Sequence, residues 1–171
     1  TTLTPREPVV SVAGALRVAG LQNRPDGSVI VRPDANTIAA SSGAAVIGGG
    51  TANLILENSP FATIPGGRDN DIGTNAFDTV IGGGRDNNIG DNSFHATIAG
   101  GQFNDIALNA SRSAIGGGFN NNVADNSPYA TIPGGRDNDI GPGAANAFAA
   151  GRQAKAYHPG VFVWADDTGV D

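Results

Sequence analysis

The chain has 171 residues, enough for one domain, and carries a formal net charge of −6 with no cysteine. The negative charge argues against nucleic-acid binding, and the lack of cysteine excludes disulfides and thiolate metal sites. No apolar run approaches the roughly 18 residues that span a bilayer, so we expect no membrane insertion by this segment. Because the chain also lacks methionine, we expect it to be a piece of a longer or processed protein.

Glycine is the most informative residue type, with 26 copies, whereas aromatic residues make up only 6% and charged residues 15% of the chain. Such a chain cannot fill a wide globular core with large side chains. The composition therefore indicates either disorder or a thin, repetitive core, and the spacing of the isoleucines decides between them.

Residues 1–26 precede the first repeat. They contain an alternating apolar stretch at 9–21, and a turn signal at Pro25-Asp26-Gly27 follows it. Because the open end of a repeat array leaves strand edges unpaired, we expect this segment to form a short strand that caps the N-terminal end.

Residues 27–151 repeat with a period of 17 residues. The segment ATIPGGRDNDIG occupies 62–73 and again 130–141, which are four periods apart. Stepping by 17 residues predicts an unbroken register as far as Gly151. The apolar columns are Ile30, Ile47, Ile64, Ile81, Ile98, Ile115 and Ile132, and Ile38, Ile55, Ile72, Ile89, Ile106, Val123 and Ile140. Asparagine columns run from Asn36 to Asn138 and from Asn58 to Asn126, and a paired glycine column includes Gly66 and Gly67.

This pattern predicts an all-β fold, a single-stranded parallel β-solenoid of 17-residue coils. The unit is too short for paired helices, and its apolar residues are β-branched, which suits strands. Each coil is expected to hold two short strands, for example within Ala62–Gly66 and Asn70–Gly73, joined by a tight glycine turn. The two isoleucine columns then face one another inside the coil.

Residues that alternate with the inward isoleucines should point outward. Their column contains small, mostly apolar residues with no charge, which is more typical of an interface than of a wet surface. We predict that this column joins copies of the chain in a closed assembly. The predicted interface residues are Val46, Thr63, Val80, Thr97, Thr131 and Phe148, together with Trp164 from the C-terminal segment.

Calcium is the sharpest alternative among the candidate sites. The segment Gly66–Ile72 is similar to the calcium-binding nonapeptide G-G-x-G-x-D-x-U-x, and Asp71, Asp105 and Asp139 are the candidate ligands. The period of 17 and the restriction of aspartate to alternate coils count against such a site. The other interpretation is that Asp and Asn close turns through local hydrogen bonds, with the column containing Asn70 forming a stacked amide ladder.

The long turn between coils varies in every repeat. Its exposed column contains Phe61, Asp78, His95, Arg112 and Tyr129, and we consider Phe61, His95, Arg112 and Tyr129 as candidates that face a receptor. Harmless drift at these positions is the alternative. Arg-Asp pairs recur at 68–69, 85–86 and 136–137, and we expect them to be surface ion pairs.

No pattern predicts catalysis or a cofactor. His95 and His158 are the only histidines, and neither has a nucleophile, a base or metal-ligand spacing around it in the sequence. We therefore expect a protein that is not an enzyme, with calcium as the one metal left open.

Residues 152–171 depart from the repeat. Lys155, Tyr157 and His158 replace the repeat columns, and the most apolar stretch of the chain follows a turn at Pro159-Gly160. That stretch contains Trp164, the only tryptophan. We expect this segment to form a C-terminal cap, or a neck that joins subunits.

The repeats resemble the heads of YadA-like trimeric adhesins, which also pair an S-x-A-I-G strand with a second short strand in each coil. They are more similar to bacterial surface and tail-fibre-like proteins with A-T-I-G-G-G repeats, which end in a segment like Phe148–Arg152 through Phe162–Asp166. The resemblance covers about Val29 to Asp166, although the 17-residue coil is longer than that of the adhesin heads and their usual neck motif is missing.

The resemblance implies a left-handed parallel β-roll, a homotrimer and display on a cell or virion surface. We therefore expect an extracellular structural or adhesive fibre module, a head or a shaft, that binds itself and an unknown host-surface or matrix ligand. The alternative is a calcium-binding β-roll of a secreted protein.

Overall fold

The computed structural model describes residues 21–23, 25–31 and 35–166. Its strands, in chain order, are β1 Leu21–Asn23, β2 Val29–Val31, β3 Thr37–Ile38, β4 Val46–Ile47, β5 Leu54–Ile55, β6 Thr63–Ile64, β7 Asp71–Ile72, β8 Val80–Ile81, β9 Asn88–Ile89, β10 Thr97–Ile98, β11 Asp105–Ile106, β12 Ala114–Ile115, β13 Asn122–Val123, β14 Thr131–Ile132, β15 Gly135–Arg136, β16 Asp139–Ile140, β17 Phe148–Arg152, β18 Lys155–Ala156 and β19 Phe162–Ala165. In this described part of the chain, no helix is long and apolar enough to cross a membrane.

The strands form two sheets along a β-solenoid of about eight turns of about 17 residues, which confirms the predicted fold class. Sheet A contains β1, β2, β4, β6, β8, β10, β12, β14, β15, β17 and β19. Sheet B contains β3, β5, β7, β9, β11, β13, β16 and β18. All pairs are parallel except β1 with β2, in which Leu21 lies opposite Val31. Residues 1–20, where most of the predicted N-terminal cap falls, lie outside the described residues.

The core is one residue wide on each side of the coil. Both isoleucine columns are buried to 1% exposure or less, and they belong to one hydrophobic cluster. Small residues such as Ala62 and Ala130 fill the remaining inward positions. Because strand side chains alternate in direction, the residues next to the isoleucines face solvent, as the sequence predicted.

A buried amide ladder runs beside the isoleucines. In every coil from Asn53 to Asn138, the side-chain Nδ2 donates to Oδ1 of the asparagine one coil earlier, over 2.9–3.0 Å. The same Nδ2 also donates to glycine carbonyls; that of Asn87, for example, donates to Gly83 and Gly101. Buried polar groups must be paired, and here each coil supplies the partner of the next. The predicted asparagine ladder is confirmed.

The coil has three left-handed corners. Asparagine occupies one of them at Asn58, Asn75, Asn92, Asn109 and Asn126, with φ of 54–58°. The second contains Phe61, Asp78, His95, Arg112 and Tyr129, with φ of 54–61°. The third contains Asp69, Asp86, Phe103, Asn120 and Asp137, with φ of 54–58°. The second asparagine column of the sequence is thereby explained, because asparagine tolerates this conformation better than most residues.

Glycine is required beside the third corner. Gly67 has a φ of 103°, and a Cβ there would collide with the carbonyl oxygen of Gly84 in the next coil. After this turn the chain forms a third ladder of single parallel bridges, which joins Thr51, Arg68, Arg85, Gln102, Phe119 and Arg136. The sequence predicted only two strands per coil, because this stretch has no inward apolar residue to mark it.

The register changes in the last repeat. Gly151 pairs with Gly135, 16 residues away, and Arg152 pairs with Arg136, whereas the unbroken 17-residue step had placed Gly151 after Gly134. That prediction was wrong because one residue is lost between Phe148, which still pairs with Thr131, and Gly151. Arg152 therefore belongs to the arginine ladder. The sheets continue beyond it, as β18 pairs with β16 and β19 pairs with β17.

Candidate functional site

The outer surface of sheet A is uncharged over its whole length. We define the uncharged face as Val46, Thr63, Val80, Thr97, Ala114, Thr131, Phe148 and Phe162, with Gly48, Pro65, Gly82, Ala99, Gly116, Pro133 and Trp164 two residues further on. These residues are exposed or half-buried. Parallel strands lie about 4.8 Å apart, so the eight steps from Val29 to Phe162 extend over about 38 Å. All of the predicted interface residues lie on this one face.

Aromatic residues mark the C-terminal end of the uncharged face. The rings of Phe148 and Phe162 stack with their centroids 4.7 Å apart, and Phe162 remains 67% exposed. Trp164 is 68% exposed and borders a shallow depression of about 270 Å³, which Pro133 and Ala150 also line. Large exposed apolar side chains in one patch are typical of an interaction surface.

The outer surface of sheet B is polar. Asp71, Asn88, Asp105, Asn122 and Asp139 form an acid–amide ladder, in which Asn88 Nδ2 donates to Asp105 Oδ1 over 2.6 Å and Asn122 Nδ2 to Asp139 Oδ1 over 2.7 Å. The three candidate calcium ligands lie in this ladder, each two coils from the next. Two coils correspond to about 9.6 Å, too far for neighbouring carboxylates to share one ion at the usual 2.3–2.6 Å.

The local environment perturbs the acids of this ladder. Partial burial raises the pKa of Asp105, with a smaller rise from Asp125, although the hydrogen bond from Asn88 opposes the shift. Burial also raises the pKa of Asp71, and the carboxylates of Asp69 and Asp86 add to the effect. At the end of the ladder, the hydroxyl of Tyr157 donates to Asp139, and this bond raises the pKa of the tyrosine.

The described residues contain no group of three His, Cys, Asp or Glu side chains that could hold a metal ion. Of the histidines, His95 lies with Nδ1 3.9 Å from Asp78 Oδ2. These contacts assemble no recognisable nucleophile and base in the part of the chain that the structure describes.

The second left-handed corner gathers aromatic and basic side chains. We name Phe61, Asp78, His95, Arg112 and Tyr129 the corner row. The guanidinium of Arg112 lies over two rings, 5.0 Å from the centroid of Phe94 and 5.4 Å from that of Tyr129. Phe61 and Tyr129 are 60% and 51% exposed. All four residues predicted to face a receptor lie in this row.

Sequence reasoning missed the platform below the corner row. Phe77 and Phe94 stack in parallel with their centroids 4.9 Å apart, and the His95 ring meets both edge-on. The signal was available, because each phenylalanine directly precedes a member of the variable column and the two are one period apart.

The third ladder holds paired arginines. The Nε of Arg68, Arg85 and Arg136 lies 3.1–3.4 Å from the carboxylate of the aspartate that follows each. Hydrogen bonds, first from Asn120 and then from Arg136, lower the pKa of Asp137. The predicted ion pairs are present. Sequence reasoning missed Phe103 and Phe119, whose rings meet edge-on between Arg85 and Arg136.

Comparison with protein-family models and with curated proteins finds no match to this chain.

Proposed function

We propose that this chain is a structural and adhesive module of an extracellular fibre, a head or a shaft, displayed on a cell or virion and without catalytic activity. The observation that carries the proposal is the uncharged face, which extends over nine strand levels in a chain of net charge −6. A monomeric protein has no use for so long an exposed face without charge, whereas an assembly buries it.

The assembly we propose is a homotrimer with parallel subunits. Three copies related by a threefold axis would bring their uncharged faces together along that axis, while the acid–amide ladders and the corner rows remain outside. The aromatic end at Phe148, Phe162 and Trp164 would then form the widest part of the contact. Three copies, and the left-handed coil, are what the resemblance to trimeric adhesins implies.

The module we propose needs no cofactor. In the acid–amide ladder, asparagine separates the carboxylates and donates to two of them, so the amides meet part of the need that a cation would otherwise meet. Calcium remains the alternative account, in which Asp71, Asp105 and Asp139 bind the ion in a secreted β-roll.

The test is the mass in solution, measured by light scattering with and without a calcium chelator. The chain has a mass of 17.1 kDa, and we expect a particle of three chains that the chelator does not change. A single-chain mass at high protein concentration would overturn the assembly. Loss of folded structure in the chelator would overturn the proposal that no metal is needed.

A further inference from the structure

The corner row combines an unfavourable backbone with bulky side chains. Its residues adopt φ of 54–61°, a conformation that bulky non-glycine residues rarely take. The neighbouring corner, three residues earlier in each coil, has the same conformation and holds asparagine at Asn58, Asn75, Asn92, Asn109 and Asn126, and glycine at Gly143. Asparagine and glycine suit this conformation best.

The contrast between the two corners points to selection for something other than folding. At Phe61, His95, Arg112 and Tyr129 the chain keeps side chains that strain the backbone, although the same column accepts Asn146 at φ of 60°. Strained residues that persist in an exposed row are a reason to look for recognition. Aromatic residues and arginine are also the types most often found at binding hot spots.

Arg112 has the chemistry to bind a carboxylate. Arg68, Arg85 and Arg136 are each paired with the following aspartate, whereas the contacts of Arg112 among the described residues are to the rings of Phe94 and Tyr129. Rings on the guanidinium faces leave its planar edge as the donor surface. That edge matches a carboxylate in a two-point hydrogen bond.

The backbone of the row excludes one common kind of partner. An extended peptide that adds a strand requires unpaired N–H groups. Here each N–H already donates to the carbonyl of the preceding coil; His95 and Arg112, for example, donate to Phe77 and Phe94 over 3.0 and 2.9 Å. Single-stranded nucleic acid also stacks on rings, but a chain of net charge −6 offers little electrostatic attraction for phosphates.

We propose that the corner row binds an acidic polysaccharide, with sugar rings packed on Tyr129 and Phe61 and a sugar carboxylate held by Arg112. The C–H face of a pyranose ring fits the electron-rich face of an aromatic ring. From Phe61 to Tyr129 the row spans four coil steps, about 19 Å, so it suits an extended chain of several sugars. This inference deepens the proposed adhesive function by naming the ligand class.

The test uses oligogalacturonate and hyaluronan oligosaccharides as probes, with methyl-esterified oligogalacturonate as the uncharged comparison. We expect R112N and Y129N to weaken binding of the acidic probes by about tenfold or more. Because asparagine suits the backbone of this corner, we expect melting temperatures that are unchanged or about 2 °C higher. The matched control is R68N, which removes the same charge from the third ladder and should keep full affinity.

Four outcomes would overturn the inference: no binding of either acidic probe by the unmodified chain, equal binding of the methyl ester, equal losses in R112N and R68N, or lower melting temperatures in R112N and Y129N with binding intact. The last would mean that these side chains serve the fold. Polyglutamate bound as tightly as oligogalacturonate would assign the row to an acidic polypeptide instead.

The solution mass of the same samples separates this inference from the proposed function. A trimer that binds neither acidic probe removes the ligand and keeps the fibre module. A monomer that binds the acidic probes removes the trimer and keeps the ligand.

Discussion

Sheets A and B are alike on their inner surfaces and different on their outer ones. Each contributes one column of buried isoleucines, for example Ile64 in sheet A and Ile72 in sheet B. Outside, sheet A presents Thr63 and Val80 at levels where sheet B presents Asp71 and Asn88. Because the inner columns suffice to define a strand, the outer residues are free to differ. The difference between the outer surfaces therefore reports what each sheet does in the assembled protein.

The largest effects should come from the shared interior. We expect Ile64→Ala in sheet A and Ile72→Ala in sheet B each to lower the free energy of unfolding by about 2–5 kcal/mol, since each leaves a cavity in a fully packed coil. Denaturant titration of the two variants measures both changes. A cost confined to one sheet would show that the two interiors are not equivalent.

A charge on the uncharged face should break the proposed assembly. We expect Thr97→Lys to reduce the mass in solution from three chains to one, because the ammonium group would be buried without a partner at the subunit contact. Asn88→Lys adds the same charge to sheet B and should leave the mass unchanged. Equal behaviour of the two variants in light scattering would remove the distinction between the sheets as we interpret it.

The acid–amide ladder should make sheet B sensitive to pH. Because burial raises the pKa of Asp105, the folded chain holds this proton more tightly than the unfolded chain does. The ionised carboxylate therefore costs stability at neutral pH, and the cost disappears as the pH falls below the ordinary value of 3.8. We expect Asp105→Asn to raise the melting temperature by about 2 °C at neutral pH and to have no effect once both forms are protonated.

Asp137→Asn is the matched control for the pH prediction, because hydrogen bonds lower the pKa of Asp137. Its folded-state stabilisation is present above the unfolded pKa and is lost as the pH falls through the folded pKa. The substitution should therefore lower the melting temperature at neutral pH. A stabilising effect there, or a destabilising effect of Asp105→Asn, would contradict the signs assigned above.

Calcium should have the smallest effect. Since the carboxylates of Asp71, Asp105 and Asp139 lie about 9.6 Å apart along the ladder, we expect millimolar calcium to leave the melting temperature unchanged. Calorimetry with calcium and with magnesium measures this. A rise that is specific to calcium and absent in Asp105→Asn would favour the calcium-binding alternative.

Much of the fold was predictable because each column repeats one physical requirement. The period of 17 residues placed Ile64 and Ile72 inside, Thr63 outside and Asn70 in an amide ladder, all as observed. The third ladder at Arg68 was not predictable, because it forms through backbone bridges with no apolar marker. The register shift at Gly151 was missed because the glycine pair still matched the 17-residue step by eye.

The candidate surfaces were predictable as columns but not as contacts. The sequence alone determined which residues recur at one level of every coil, since a strict period fixes what stacks on what. Only the tertiary structure decided how the columns meet sideways: that Arg112 lies between Phe94 and Tyr129, that Asp105 is partly buried, and that three corners are left-handed. The physical reason is that stacking depends on spacing along the chain, whereas contacts between columns depend on how the backbone closes each turn of the coil.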